Sequence, residues 1–191
     1  MIRDREAAAA SPLVLAVRQA GVVGQGGAGF PAHVKYETRA GTVIANGCEC
    51  EPLLATDRWT MTARAGEVIA ALAALMEAVG AARGVVAVKA KNAGAVEALS
   101  GPAARAGVEV VRLGDFYPAG DEQQMVYEVT GRVVPTGGIP LDVGAVVNNV
   151  STLMHISDAL NGIPVTDKYV TVAGEVKRPV TIRVPVGTPL V

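Results

Sequence analysis

Aromatic side chains make up only 4% of this 191-residue chain. A core built on Phe, Tyr and Trp is thereby excluded, and Ala, Val, Leu and Ile must fill it from the 50% of residues that are hydrophobic. Cysteine is scarcer still. Cys48 and Cys50 are the two present, and adjacent-but-one cysteines close too small a ring for a relaxed disulfide. Two thiols also fall short of the four ligands that an iron–sulfur cluster or a structural zinc site needs, so no metal site is expected. Long apolar runs are missing: the longest, from Val68 to Met76, is far below the about 20 residues of a bilayer span. A net charge of −1 gives no reason to expect nucleic-acid binding or an electrostatic membrane contact. The start, Met1-Ile2-Arg3-Asp4-Arg5-Glu6, mixes both charge signs before a run of Ala, unlike a signal peptide. The expectation is a soluble, cytoplasmic chain with no nucleic-acid partner and no direct membrane insertion. Its length suffices for one good-sized core, or a domain plus a small appendage.

Glycine, by contrast, is concentrated in one place. Gly24-Gln25-Gly26-Gly27-Ala28-Gly29 puts four glycines in six residues, a backbone free to take positive φ and to approach a ligand with no Cβ in the way. Pro31 follows and suits the first turn of a helix. A glycine-rich loop that enters a helix presents free N–H groups and the positive dipole end, which suits a phosphate. Phe30 and Lys35 add a flat apolar ring and a cation at the rim, completing the outline of a nucleotide or flavin cradle. The Gly24-x-Gly26-x-x-Gly29 spacing also matches the dinucleotide fingerprint, with Glu49 about 20 residues beyond Gly29. That fingerprint should follow a strand, yet a helix and Val22-Val23 precede it here. An ordinary Rossmann site is therefore not expected, and a loop with no ligand is the bland alternative.

Residues 1–11 read as a flexible tail. Ser11-Pro12 can start a helix with Leu13, Val14 and Val17 on one face and Gly21 closing it. Residues 42–45 form a short buried strand turned by Asn46-Gly47. Pro52 opens a helical region, broken near Gly66, in which Val68, Leu72, Leu75, Met76 and Val79 repeat at helical spacing. Strands at 84–89, 108–113 and 145–147 then alternate with helices at 93–106, up to 130, and 150–160. Such alternation predicts an α/β fold, a largely parallel Rossmann-like sheet with helices on both faces, over residues 12–165. After Asn161-Gly162 the pattern changes to period two at 169–173 and 180–184, a hairpin and the expected start of a small second, β-rich domain over 166–191. The ending at Leu190-Val191, without a polar close, is what a fragment would show.

Three more stretches lie where strands end or helices begin. Asn46-Gly47-Cys48-Glu49-Cys50-Glu51-Pro52 sits just past the C-terminal end of a strand, where α/β sheets bind ligands. Read alone, Glu49 and Glu51 serve equally well to offset a helix dipole. Asn148-Asn149-Val150-Ser151-Thr152 lies at another strand end, where helix capping by Asn149 or Ser151 is an adequate account. Tyr117 to Glu122 is likewise readable as a turn and a capped helix start. With the glycine loop, these four segments can converge on one edge of the sheet.

In that combination the chain resembles the FMN-binding family of the subunit that oxidises NADH in respiratory complex I. The likeness lies in Gly24 to Lys35; in Asn46, Glu49, Glu51, Pro52, Asp57 and Arg58 at the family's spacing; in Tyr117, Gly120 and Glu122; and in Val147-Asn148-Asn149-Val150 with Thr152. The order is unchanged from about residue 20 to 160. Complex I has an arginine where Gln25 stands and an acidic residue where Cys48 stands. Those departures, with Gly-x-Glu-Cys-Glu-Pro, Tyr117-Pro118-x-Gly120 and Gly137-Gly138, are more similar to Rnf-type electron-transfer subunits and to the cobalamin reductase of propanediol-utilisation microcompartments. The hairpin from Tyr169 resembles the start of the β-grasp (SLBB-like) domain of both. A glycine loop within about 25 residues of Met1 resembles the cobalamin-reductase arrangement. Both families place cysteine-ligated iron–sulfur clusters further C-terminal, and this chain has none of those cysteines.

The resemblance implies FMN held non-covalently and reduced by NADH. By family match, Gly24, Gly26, Gly27, Lys35, Asn46, Glu49, Tyr117, Gly120, Glu122, Asn148, Asn149 and Thr152 bind the cofactor. Phe30 and Glu51 lie on the NADH side, Phe30 stacking on a ring and Glu51 serving as the catalytic residue. Similar proteins carry Ala where Cys48 stands, which implies a small apolar wall beside the flavin. The implied function is an NADH-oxidising flavoprotein module that passes electrons through FMN to a downstream redox partner. That partner is a corrinoid enzyme or another redox protein, and the setting is a bacterial microcompartment. The alternatives are the electron-transfer subunit of a membrane-associated Rnf-type complex and a non-catalytic docking remnant of the fold. Iron–sulfur clusters are implied only outside this chain.

Overall fold

Runs of Val, Ala and Ile bounded by Gly and Asn become four parallel strands in the computed structural model, which describes residues 11–189. The expected tail falls outside the described residues except for Ser11, whose hydroxyl accepts the Val14 N–H at 3.3 Å and caps α1 (Pro12–Gln19). The glycine loop and a single helical turn, α2 (Ala32–Tyr36), lead to β1 (Thr42–Gly47). There follow α3 (Thr56–Ala63), α4 (Ala65–Val79), β2 (Arg83–Lys89), α5 (Ala93–Ala106) and β3 (Glu109–Leu113). The chain then crosses back through α6 (Glu122–Thr130) and a short 3₁₀ turn (Pro140–Val143) to β4 (Ala145–Asn149) and α7 (Val150–Leu160). The sheet order is β3-β2-β1-β4, all parallel. Successive strands step outward from β1 on one side, and β4 returns on the other. Between β1 and β4 the direction of winding therefore reverses, which is where open α/β sheets bind ligands.

Alternate residues of each strand feed two cores. Val43, Ala45, Val86, Val88 and Val146 pack with α1, α4, α5 and α7, whereas Ile44, Val85, Ala87, Ala145 and Val147 pack with Met125, Val126 and Val129 of α6. Strands buried on both faces read as unbroken apolar runs, the signature of a parallel sheet. The helices cover both faces as expected, but unequally, with most of them on the first. On α4, Val68, Ile69, Leu72, Leu75 and Val79 are all buried, each worth about 1.5–3 kcal/mol relative to exposure.

The expected helix from Pro52 is corrected. Leu54 N–H closes a turn on Glu51 O at 3.2 Å, and the Ala55 N–H donates to the Thr171 hydroxyl at 3.1 Å rather than to a helical carbonyl. The helix starts only at Thr56. The break falls at Arg64 rather than near Gly66, where the guanidinium bridges Glu67 and Asp158, each at 2.7 Å. Strands β1 and β4 run on through their asparagines because Asn46 pairs with Asn149 across the ladder.

The hairpin of β5 (Asp167–Val172) and β6 (Val180–Pro185) is antiparallel and forms its own two-stranded sheet. It lies against α3: the Tyr169 and Trp59 rings stack at 4.1 Å, 29° from parallel, and Thr171 bonds to Thr56 at 3.0 Å.

A cleft at the switch point between β1 and β4

The C-terminal ends of β1 and β4 open into a cleft of about 630 Å³. Its walls are the glycine loop, the turn from Asn46 to Glu51, the Gly120 turn, the first turn of α7, and Tyr169 to Thr171 of the hairpin. That size suits a nucleotide-sized ligand.

The glycine loop is held at both ends. Gly24 N–H donates to Phe30 O at 2.8 Å, Ala32 N–H to Val22 O at 3.1 Å, and Gln25 N–H to the Thr152 hydroxyl at 3.0 Å. Gly27 (φ 109°) and Gly29 (φ 63°) take positive φ, so those two positions require glycine. Among the described residues, the amides from Gly26 to Phe30 donate no hydrogen bond, and a Cβ on Gly26 or Gly27 would meet nothing within 4 Å. The open donors belong to the loop itself. The helix it enters is a single turn of five residues, not the longer helix that the expected phosphate seat at a helix start called for.

Lys35 lies at the end of that turn. Its Nζ donates to Val147 O at 2.8 Å and pairs with Glu122 at 3.2 Å. Glu122 follows Asp121, whose carboxylate caps α6 by accepting from Gln123 and Gln124 N–H. Asn46 acts as a brace: Nδ2 donates to Gly120 O at 2.8 Å and Oδ1 accepts from Cys48 N–H at 3.0 Å. Gly120 has no room for a side chain, since a Cβ would collide with Cys48 O and stand 2.9 Å from Cys50 Sγ. Cys50 Sγ accepts the Gly120 N–H at 3.2 Å. Cys48 is buried beside the strands, which pushes its thiol up to about 12 and keeps it protonated.

The two asparagines after β4 differ. Asn149 is fully occupied: Oδ1 accepts the Ser151 N–H at 2.8 Å, and Nδ2 donates to Asp57 at 2.7 Å. Asn148 Oδ1 accepts from the Tyr36 hydroxyl at 2.7 Å, while its Nδ2 is buried with no partner among the described residues. An orphaned amide at the floor of a cleft is a donor awaiting an acceptor.

Of the other sequence-derived residues, Glu49 lines the cleft and turns back so that its carboxylate accepts the Glu51 N–H at 3.0 Å. Phe30, half exposed, and Glu51 stand at the mouth. Tyr117 is the exception. It is 79% exposed and lies outside the cleft lining, because the turn that brings Gly120 against Cys48 directs its ring to solvent.

Sequence reasoning gave no site role to Tyr36, Asp57 or Ser151. Asp57 is 5% exposed, accepts from Ser151 Oγ at 2.9 Å as well as from Asn149, and is pushed by burial up to about 6. The available signal was Asp57 on the stripe of α3 that also holds Thr60 and Met61, all three buried. A carboxylate on an inward helix face needs a reason.

A doubly wound parallel sheet with a glycine loop over its switch point defines an α/β mononucleotide-binding domain. The family model described as the Nuo51 FMN-binding domain matches residues 17–158, and the chain belongs to that family. It is 46% identical over 175 residues to the cobalamin reductase PduS of Citrobacter freundii, covering 91% of this chain and 39% of that protein. It is 39% identical over 197 residues to a component of the Na(+)-translocating ferredoxin:NAD(+) oxidoreductase complex of Acetobacterium woodii, covering 98% of this chain and 43% of that protein. The chain thus spans about two fifths of the length of these relatives. An NAD+-reducing nickel–iron hydrogenase structure superposes with a TM-score of 0.79 at 24% identity, over 91% of this chain and 36% of that one. That likeness concerns the fold. No helix among the described residues is long and apolar enough to cross a membrane.

Proposed function

We propose that this chain is the FMN-binding, NADH-oxidising module of an electron-transfer flavoprotein of the cobalamin-reductase kind. The observation that carries the reading is the Asn148 Nδ2, unpartnered among the described residues, in a switch-point cleft that is also lined by a glycine loop whose amides from Gly26 to Phe30 are open. The residues fit FMN. Gly26, Gly27 and their neighbours would donate to the phosphate, and Asn148 to an acceptor of the cofactor. Lys35 would place a positive charge beside the ring. Asn46, Gly120, Glu122 and Thr152 shape the walls, while Asn149 and Asp57 fix the floor. When bound, FMN accepts a hydride from NADH and passes electrons on singly. Phe30 and Glu51 would receive the nicotinamide nucleotide, Phe30 by stacking and Glu51 through its carboxylate, which is unpaired among the described residues.

A second reading keeps the same cofactor and donor but places the module in a membrane-associated, Rnf-type complex; the match to the Acetobacterium woodii protein over 98% of this chain favours it. The two readings differ in electron acceptor, a corrinoid enzyme or another redox protein, and in compartment. Iron–sulfur clusters would lie in sequence beyond this chain in both.

The test is anaerobic addition of NADH to the FMN-loaded protein. The visible flavin band should bleach, and Glu51→Gln should slow bleaching roughly ten- to a hundredfold while FMN stays bound, the loss expected of one charge-assisted hydrogen bond. A chain that takes up no FMN, or holds FMN that NADH leaves oxidised, removes the proposal and favours a docking remnant of the fold.

A further inference from the structure

We infer that Tyr36 is a positioning residue: by holding Asn148 Oδ1 it fixes the carboxamide so that Nδ2 faces the flavin nucleotide, an inference that rests on the FMN reading above. Tyr36 is 2% exposed, and among the described residues its hydroxyl has a single hydrogen bond, 2.7 Å from Asn148 Oδ1. A buried phenol proton needs an acceptor, and the carboxamide oxygen is the one within reach. With the amide turned over, Nδ2 could donate to the phenol oxygen, but the phenol proton would then be left with no acceptor among the described residues. The orientation of Asn148 is therefore set from behind the cleft, and the group left over is the unpartnered Nδ2. Burial pushes the phenol pKa upward, so Tyr36 remains a donor at physiological pH.

The arrangement couples two sequence-distant segments. Consecutive residues of α2 reach consecutive residues of β4, Lys35 to Val147 O at 2.8 Å and Tyr36 to Asn148. The same short helix anchors the glycine loop, through the Ala32 N–H to Val22 O. Loop placement and amide orientation are thus fixed by one unit. Asn149 needs no such help, because Asp57 and the Ser151 amide occupy both ends of its carboxamide.

The test is FMN titration of the apo wild-type protein, Tyr36→Phe, Asn148→Ala and the double variant, with an unfolding transition recorded for each. Tyr36→Phe and Asn148→Ala should each weaken FMN binding about tenfold, and the double variant should bind no more weakly than Asn148→Ala alone. A purely structural tyrosine would instead give effects that multiply. Wild-type protein that binds FMN while Tyr36→Phe stays within about twofold of it, or a multiplicative double variant, overturns the inference and leaves the FMN reading intact. Failure of the wild-type protein to bind FMN overturns both. Should Tyr36→Phe not fold, the wild-type protein still decides: the side-chain amide proton resonances of Asn148 should shift on FMN addition, and resonances that do not move overturn the inference.

Discussion

Asp57 is buried at the cleft floor with two neutral hydrogen-bond donors and, among the described residues, no ion-pair partner. Desolvation is the largest influence on it and raises its pKa to about 6; the nearby Glu49 pushes the same way, while the bonds from Ser151 and Asn149 oppose. An unfolded aspartate titrates near about 3.9. The folded state therefore favours the protonated form. That contribution to stability is fully present below about pH 4 and is lost as pH rises through about 6, at most about 3 kcal/mol. Urea unfolding of wild-type protein and Asp57→Asn across this window should show the wild type losing stability relative to the variant, with the difference level above about pH 7. A difference that does not change with pH would refute the shifted aspartate.

At the scale of elements, the hairpin is tied to the cleft by one threonine. Thr171 Oγ1 accepts the Ala55 N–H at 3.1 Å and lies 3.0 Å from Thr56 Oγ1 and 3.1 Å from Thr181 Oγ1. Thr171→Val preserves the shape but strands a backbone donor, at a cost of about 1–3 kcal/mol. Hydrogen exchange should speed up in β5, β6 and at Ala55 while β1 to β4 stay protected; unchanged hairpin exchange would show that the tie is not what holds it. This bond also marks where sequence stopped being informative. Helices α5 and α7, and the end of α6, were readable to the residue because local chemistry ends them: Asn149 caps α7, and Gly107 and Gly131 close α5 and α6 in the left-handed region. The start of α3 was not, because a side chain from residue 171 takes the amide that a helix beginning at Pro52 would have used. Of the site, glycines, asparagines and acids at strand ends were legible, since the α/β pattern places such ends together. Whether an asparagine is free or occupied was not. Asn149 caps α7 through the local Ser151 N–H, but the partners that occupy its other end and hold Asn148, Asp57 and Tyr36, arrive from elsewhere in the chain.

For the molecule as a whole, the cleft is where distant segments meet: the loop at Gly24 to Phe30, the ends of β1 and β4, the Gly120 turn, α7 and the hairpin. A ligand that bonds to several of these walls favours the folded chain over the unfolded one by mass action, by about 2.7 kcal/mol at a hundred times its dissociation constant. For a chain of this size that corresponds to a rise of roughly 5–10 °C in unfolding temperature. The open amides from Gly26 to Phe30 add a finer expectation. If they hold the phosphate, riboflavin, which shares the ring and ribityl chain but lacks that group, must bind more weakly and raise the unfolding temperature less at equal concentration. Thermal unfolding with FMN, riboflavin and inorganic phosphate in parallel separates the contributions. FMN should give the largest shift and riboflavin a smaller one, while phosphate alone should give little, because it lacks the ring and ribityl chain that would fill the rest of the cleft. Equal shifts from FMN and riboflavin would show that the glycine loop does not hold the phosphate, and its open donors would then need another ligand group to explain them.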